Sequence, residues 1–302
     1  MNPATATNGG YRLEPHPEFG FFQIKPTPSL DEILRYYADE FYSSGYPKLN
    51  DSGIDVQLRD KEFYDGQRSD LCANIAEIAG RSLGGMTVLD VGCGWGQALL
   101  FFQSQGMLGY GFDPVPEAAA YAQKLGLRVV RAGMETMDVF DGRRFDVVTL
   151  MNVLEHLADP VSVLGEIREK ILAPGGILAI DVPNEFNAFQ LCAQKVHGLD
   201  PWWIAPPAHL NYFSGPTLKS LLAGVGYRVE RMESSFPIEM FLLFGHNYVG
   251  DSALGRKCHE QRMAFELNLR RHGAEKVLRE FYRALAELNL GRQIVAYAKN
   301  PG

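Results

Sequence analysis

The sequence predicts a doubly wound α/β fold on a mostly parallel sheet, and three observations carry that reading. From about residue 67, short apolar runs alternate with stretches of helical periodicity. A glycine-rich turn, Gly92-Cys93-Gly94-Trp95-Gly96, follows the first of those runs. Pro174-Gly175-Gly176 then separates a helical pattern from another apolar run. Strands alternating with helices imply βαβ units, and right-handed crossovers place helices on both faces of the sheet.

Residues 1–66 read as an ordered N-terminal arm. Ser29 or Asp31 caps a short helix whose apolar side is Ile33, Leu34, Tyr36 and Tyr37. Phe19, Phe21, Phe22, Phe41 and Tyr42 are too much apolar surface to leave in water. The core is expected over 67–236. It begins with a helix at 67–80, where Leu71, Ile75 and Ile78 share a side, and a strand at 86–94. A helix through Ala98, Leu99, Phe101 and Phe102 leads to a strand at 108–113. A helix at 116–125 and strands at 127–131 and 145–151 come next. A helix at 159–172 stops at Pro174-Gly175-Gly176, which turns the chain into a strand at 177–183. The long connection 184–213 has the character of a lid. A helix at 215–223 and a strand at 227–234 resume the core. Residues 237–302 form an appendage with a helical stretch over roughly 252–289, whose apolar stripe is Val277, Phe281, Leu285 and Leu288, before a last strand-like segment, GRQIVAYAKN.

Composition narrows the function. The 302 residues are 46% apolar, 22% charged and 11% aromatic, enough for one large domain with appendages or two small ones. With 29 Lys and Arg against 36 Asp and Glu, and no basic block, electrostatic binding to nucleic acid is not expected. No apolar run approaches the ~20 residues of a membrane span. The first residues lack the basic-then-apolar layout of a secretory signal. Cys72, Cys93, Cys192 and Cys258 are scattered, so neither a disulfide framework nor a zinc knuckle is expected. These features fit a cytoplasmic protein.

The chemistry concentrates at Asp90-Val91-Gly92-Cys93-Gly94-Trp95-Gly96-Gln97. Glycines there let backbone approach a ligand, and free N–H groups at a helix start suit a polar or anionic group. Asp113 ends the next strand roughly 20 residues on, where an acid accepts both ribose hydroxyls of a nucleoside. A dinucleotide fingerprint wants a third glycine or alanine where Gln97 stands. Asp90, two residues before the turn, would repel a pyrophosphate and attract a cationic ammonium or sulfonium. Charge sign therefore favours S-adenosylmethionine over NAD.

Several motifs carry a family resemblance. VLDVGCGWG, GYGFDP, FDVVTLMNVLEHLADP and LAPGGILAIDVPN resemble, in order, the motifs of class I S-adenosylmethionine-dependent methyltransferases. The flanking FGFFQIKPTPSLDEILRYYADEFY, AHLNYFSGPTLKSLLAGVGY and LGRQIVAYAKN resemble the subgroup acting on small molecules or sugars. The resemblance implies a Rossmann-like methyltransferase sheet of seven strands, with the arm covering the substrate. It implies that Asp90 and the backbone of Gly92 and Gly94 hold the methionine part. Asp113 would take the ribose, and Pro114 or Phe112 would border the adenine. Met134 and Glu135 would contact the adenine edge, although Gly133 stands where the family often has Asp. Asn152 would line the sulfonium end. A related sugar C-methyltransferase group has an N-terminal cysteine-based zinc site, whereas this chain has no cysteine before Cys72.

Methyl transfer needs an aligned acceptor, exclusion of water and removal of a proton, and no metal is expected. His156, just beyond the fourth strand, and His209, closing the 184–213 connection, are the candidate bases. Trp202, Trp203 and Tyr212 are candidate acceptor contacts, the tryptophans alternatively anchoring the loop. Glu155 reads as a residue that orders the turn. The expected acceptor is a hydroxyl of a sugar or secondary metabolite, and the appendage is a candidate homodimer face. The rival readings are an NAD-dependent sugar oxidoreductase or epimerase and a non-catalytic cofactor-binding scaffold.

Overall fold

Strands with two buried faces make the centre of the structure, a computed structural model describing residues 7–8, 10–29, 32, 53–133, 136 and 139–302. In chain order the strands are β1 (Thr7–Asn8), β2 (Tyr11–Pro15), β3 (Phe22–Lys25), β4 (Thr87–Val91), β5 (Leu108–Asp113), β6 (Arg128–Arg131), β7 (Phe145–Met151), β8 (Leu172–Pro183), β9 (Asn211–Tyr212), β10 (Arg228–Ser234) and β11 (Gln293–Lys299). Along β8, Ile177 and Ala179 enter one apolar layer, and Leu178, Ile180 and Val182 enter the other. Val88 and Leu89 of β4 divide in the same way. Both sets are buried, as a sheet covered on both faces requires.

The main sheet has the order β10-β11-β8-β7-β4-β5-β6, and β11 alone runs against the rest. This is the mostly parallel, seven-stranded fold that the sequence predicts. The chain moves outward from β4 through β5 and β6 and returns to β7 on the other side of β4. That reversal leaves a crevice at the carboxyl ends of β4 and β7, the place where open α/β sheets bind ligands.

The helices are α1 (Ile54–Arg59), α2 (Lys61–Ala79), α3 (Gln97–Ser104), α4 (Pro116–Lys124), α5 (Pro160–Glu166), α6 (Ala188–His197), α7 (Gly215–Gly224), α8 (Glu239–Leu243), α9 (Ser252–Arg271) and α10 (Glu275–Glu287). Three differ from expectation. After the Asp159 side chain caps α5 at the Ser162 N–H, the helix widens into a π turn over Ile167–Ile171. It then gives way to β8 at Leu172, before Pro174, where the Asn300 side chain donates to the carbonyls of Arg168, Leu172 and Ala173. The stretch 252–289 is two helices, broken at Gly273 with φ 73°. Its buried stripe is Leu278, Tyr282 and Leu285, because the Tyr282 hydroxyl turns inward to Glu266 at 2.9 Å, and Val277, Phe281 and Leu288 are exposed.

The connection 184–213 is not an irregular lid. Asn187 caps α6 through the Gln190 N–H at 3.1 Å, and β9 pairs with β3 of the arm. Together β1, β2, β3 and β9 make a second, antiparallel sheet, with Leu13, Ile24, Trp203, Ile204, Leu210 and Tyr212 as its core. The helix expected near Ile33, Leu34, Tyr36 and Tyr37 lies outside the described residues, as do Asp31, Phe41 and Tyr42.

A buried polar network ties α2 and α10 to the edge of the main sheet. Asn74 donates to Glu233 at 2.6 Å and to the Tyr297 hydroxyl at 3.0 Å. Arg283 donates to Glu233 at 2.7 Å and to Asn74 at 2.7 Å. Replacing Glu233→Ala removes the partner of Arg283 Nε and one of the two acceptors of the Asn74 amide, and should cost about 2 kcal/mol. The drop is read from the urea midpoint; an unchanged midpoint would show that the network is held from elsewhere.

Candidate active site

The glycine turn takes its shape from the residues packed against it. Gly92, Gly94 and Gly96 have φ of 68°, 50° and 77°, a region that side chains disfavour. A Cβ on Gly92 would stand 2.7 Å from Val153 Cγ2, and one on Gly96 would stand 2.4 Å from Leu127 Cδ1. One on Gly94 would meet nothing within 4 Å. Two of these glycines are therefore required by packing, and Gly94 alone borders open space.

The N–H groups of the turn are not open, contrary to expectation. Those of Gly92 and Cys93 donate to the Phe112 carbonyl at 3.0 and 3.1 Å, and that of Gly96 donates to the Cys93 carbonyl at 3.0 Å. The Gly94 N–H donates to Asp113 Oδ2 at 2.8 Å. These four turn donors are thus spent within the protein and are not offered to an anion. What stands beside this turn is negative charge.

Asp90 is the nearest source of that charge. It lies on β4 in register with Thr149 of β7 and Gly111 of β5, and it is only 4% exposed. Its carboxylate accepts from the Thr149 hydroxyl at 2.6 Å. Burial pushes its pKa up to about 6, against the hydrogen bond from Thr149 and the field of Arg68, and Asp113 pushes it further up. Arg68 of α2 faces the same region while bonded to Asp65 and Gln57. Asp113 is also buried, and burial raises its pKa, although N–H donors from Val115 and Gly94 favour its charge. Pro114 is exposed at the rim, whereas Phe112 lies in the core with Leu89 and Leu150 and cannot border a ligand. Met134 and Glu135 lie outside the described residues.

At the end of β7, Asn152 has φ 57° and is exposed. Its Oδ1 lies 2.8 Å from the amide of Gln293. With its nitrogen turned toward Asp181, that amide donates to both carboxylate oxygens at 2.7 and 2.9 Å. Burial pushes the Asp181 pKa up to about 8. Asp181 is not among the residues that the sequence singles out. An acid near the end of a buried strand, as in Ile180-Asp181-Val182-Pro183, nevertheless repeats the signal that marks Asp90.

The structure brings both candidate histidines together with Glu155. The His156 and His209 rings stand edge to face, with centroids 5.0 Å apart. His156 Nδ1 lies 2.6 Å from the Ala208 carbonyl, and its Nε2 lies 3.7 Å from Glu155 Oε1. Burial lowers the pKa of both histidines, that of His209 to about 3. Glu155 is 1% exposed, and burial pushes its pKa up to about 8. The Leu210 N–H donates to the Glu155 carbonyl at 2.8 Å, and the Asn211 side chain donates to the Leu157 carbonyl at 2.7 Å. The segment before β9 is thereby stitched onto the turn after β7.

Two expected acceptor contacts turn inward. Trp203 is 3% exposed within the core of the second sheet. Tyr212 is 1% exposed, and its hydroxyl bridges the Ala205 N–H and the His209 carbonyl, both at 3.1 Å. Both shape the loop that carries His209. Trp202 is partly exposed, edge-on to Trp203 at 4.8 Å.

The profile of a family described as a methyltransferase domain matches residues 64–231. Curated relatives include the ubiquinone biosynthesis O-methyltransferase of Histophilus somni, 33% identical over 115 residues, or 34% of this chain and 48% of that protein. The Escherichia coli protein of the same name is 38% identical over 108 residues, 34% and 44% of the two chains. The chain spans less than half the length of these curated relatives. One similar solved structure is the plantazolicin methyltransferase BamL with a triazolic desmethylPZN analog and SAH. It aligns over 90% of this chain and 95% of that one, with a TM-score of 0.54 at 12% identity. The Burkholderia thailandensis 1,6-didemethyltoxoflavin-N1-methyltransferase, with its bound 1,6-didemethyltoxoflavin and S-adenosylhomocysteine, aligns over 97% and 96%. Its TM-score is 0.50 at 17% identity. At these identities the two likenesses are of fold.

The contrast between Gly94 and Gly96 is directly testable. Gly94→Ala should cost about 1–2 kcal/mol, the strain of a left-handed alanine alone. Gly96→Ala adds a clash and should cost more, measured by thermal denaturation without ligand. Equal losses would contradict the division between a packed glycine and one bordering open space.

Proposed function

The chain belongs to the methyltransferase-domain family, and on that premise we propose that it moves the methyl group of S-adenosylmethionine to a hydroxyl of a small molecule, a sugar or secondary metabolite. One observation carries the choice of cofactor: a buried carboxylate, Asp90, beside a turn in which the Gly92, Cys93, Gly94 and Gly96 N–H donors are already spent. That combination suits a cationic nucleoside and repels the diphosphate of a dinucleotide. When bound, the cofactor supplies a methyl group already activated on sulfonium. The residues present fit it. Gly94 borders open space, Asp90 faces the cationic methionine part, and Asp113 takes the ribose hydroxyls. Pro114, Met134 and Glu135 are assigned to the adenine, and Asn152 to the sulfonium end.

His156 and His209, with Glu155, form the polar cluster at which the acceptor hydroxyl gives up its proton. Both histidines are held neutral by burial, so each offers a lone pair. Trp202, partly exposed and edge-on to Trp203, is assigned to the acceptor. The named activity of the curated relatives, O-methylation, supports a hydroxyl acceptor. Among the described residues no helix is long and apolar enough to cross a membrane. We place the protein in the cytoplasm, in keeping with its four free thiols. Exposed Val277, Phe265 and Phe281 are read as the face on which a second copy would pair.

Calorimetry with S-adenosylmethionine and NAD in parallel tests the reading: the first should bind and the second should not. Asp90→Asn should weaken S-adenosylmethionine binding by roughly 10–100-fold, the worth of one charge-assisted contact. Burial has raised the Asp90 pKa to about 6, so the carboxylate is charged above that pH and neutral below it. Affinity in the parent should hold at neutral pH and fall as pH drops through about 6, while Asp90→Asn loses that pH dependence. Binding of NAD, or a pH-independent parent, would contradict the assignment.

His209→Ala should lower turnover by on the order of 100-fold or more with little change in cofactor affinity. Equal turnover would remove His209 from the reaction.

A further inference from the structure

We infer that Glu155, His156 and His209 together bind one divalent transition-metal ion, and two imidazoles with a carboxylate suit zinc best. The sequence alone suggests no metal, because the third ligand comes from a segment more than fifty residues away along the chain. One ligand atom from each residue lies within 4.8 Å of one from each of the others.

The hydrogen bonds decide what those atoms are. His156 Nδ1, at 2.6 Å from the Ala208 carbonyl oxygen, must carry the proton and donate it. The lone pair of His156 is therefore on Nε2, and it looks at Glu155 Oε1 from 3.7 Å. Glu155 Oε2 and His209 Nδ1 are buried and have no hydrogen-bond partner among the described residues. The nearby Arg292 directs its Nη1 to both carboxylate oxygens of Glu185. Two buried, unpartnered acceptors on Glu155 and His209, in residues whose ligand atoms cluster this closely, are costly unless a cation joins them. The Ala208 carbonyl on the far nitrogen of His156 is the outer partner that metal-bound histidines commonly have.

Zinc–nitrogen and zinc–oxygen bonds of about 2.0–2.2 Å bring tetrahedral ligand atoms to about 3.4 Å from one another. From separations of up to 4.8 Å the cluster must close by at most about 1.4 Å, and His209 has no Nδ1 hydrogen bond to lose in closing. Three protein ligands leave a fourth position open. That this position takes the acceptor oxygen rests on the methylation reading; in that case the histidines hold the ion, and the ion makes the acceptor hydroxyl easier to deprotonate.

The test uses the full chain, stripped with chelator and titrated with Co²⁺ and then Zn²⁺, reading metal content and the visible Co²⁺ spectrum. The expected result is one ion per chain, with a Co²⁺ band of low coordination number that Zn²⁺ abolishes. Glu155→Gln and His209→Asn, whose folding is checked by circular dichroism, should each weaken binding by more than the roughly 10–100-fold that loss of an outer partner costs. His156→Asn replaces either variant if it does not fold. S-adenosylmethionine affinity, measured on the same samples, should be unchanged. No stoichiometric ion on the parent, or parent-like affinity in the variants, overturns the site. Failure of S-adenosylmethionine to bind instead overturns the cofactor reading and leaves the metal result standing.

Discussion

A carboxylate held inside a sheet without an ion-pair partner is the constraint on which the rest of this structure turns. Asp90 sits on an interior strand, where both neighbours are strands and both faces are covered. The Thr149 hydroxyl and the field of Arg68 offset only part of the cost of burying it, as its raised pKa shows. A native state that tolerates such a group keeps it for something outside itself. The glycine turn two residues further on offers little compensation, because the N–H donors of Gly92, Cys93, Gly94 and Gly96 are committed to Phe112, Cys93 and Asp113. A cationic ligand can supply it.

The second sheet gives that crevice a wall. Asn211 bonds at once to the Leu157 carbonyl and to the Gln23 side chain, so β9 joins the arm to the turn after β7. Ile24 and Leu210 add a backbone bond of 3.0 Å between the same segments. His156 and His209 come together through this stitching, although they are far apart in sequence. The arm thus acts on the site indirectly, by fixing the loop that carries His209.

The main sheet was legible because its signals are local. The unbroken apolar run at 177–180 and the glycines at 92, 94 and 96 need no knowledge of distant partners. Asp90 and Asp113 were readable for the same reason, each being an acid at a strand end. What the sequence hid depends on contacts between distant residues. Nothing near Trp203 or Tyr212 says that they pack against Leu13 and Ile24. The polar network of Asn74, Glu233, Arg283 and Tyr297 joins four elements and has no motif. Glu155 reads as a turn residue until His209 is placed beside its neighbour.

The charge of Asp90 can be followed directly by titrating its carboxyl carbon by NMR in the isotope-labelled chain, with and without S-adenosylmethionine. A carboxylate that exists to meet a cation should titrate near pH 6 alone and move to distinctly lower pH once the cofactor is bound, since each tenfold loss of proton affinity corresponds to about 1.4 kcal/mol of attraction. The same titration point in both samples would mean that Asp90 takes no part in holding a positive ligand, and that its burial has another cause.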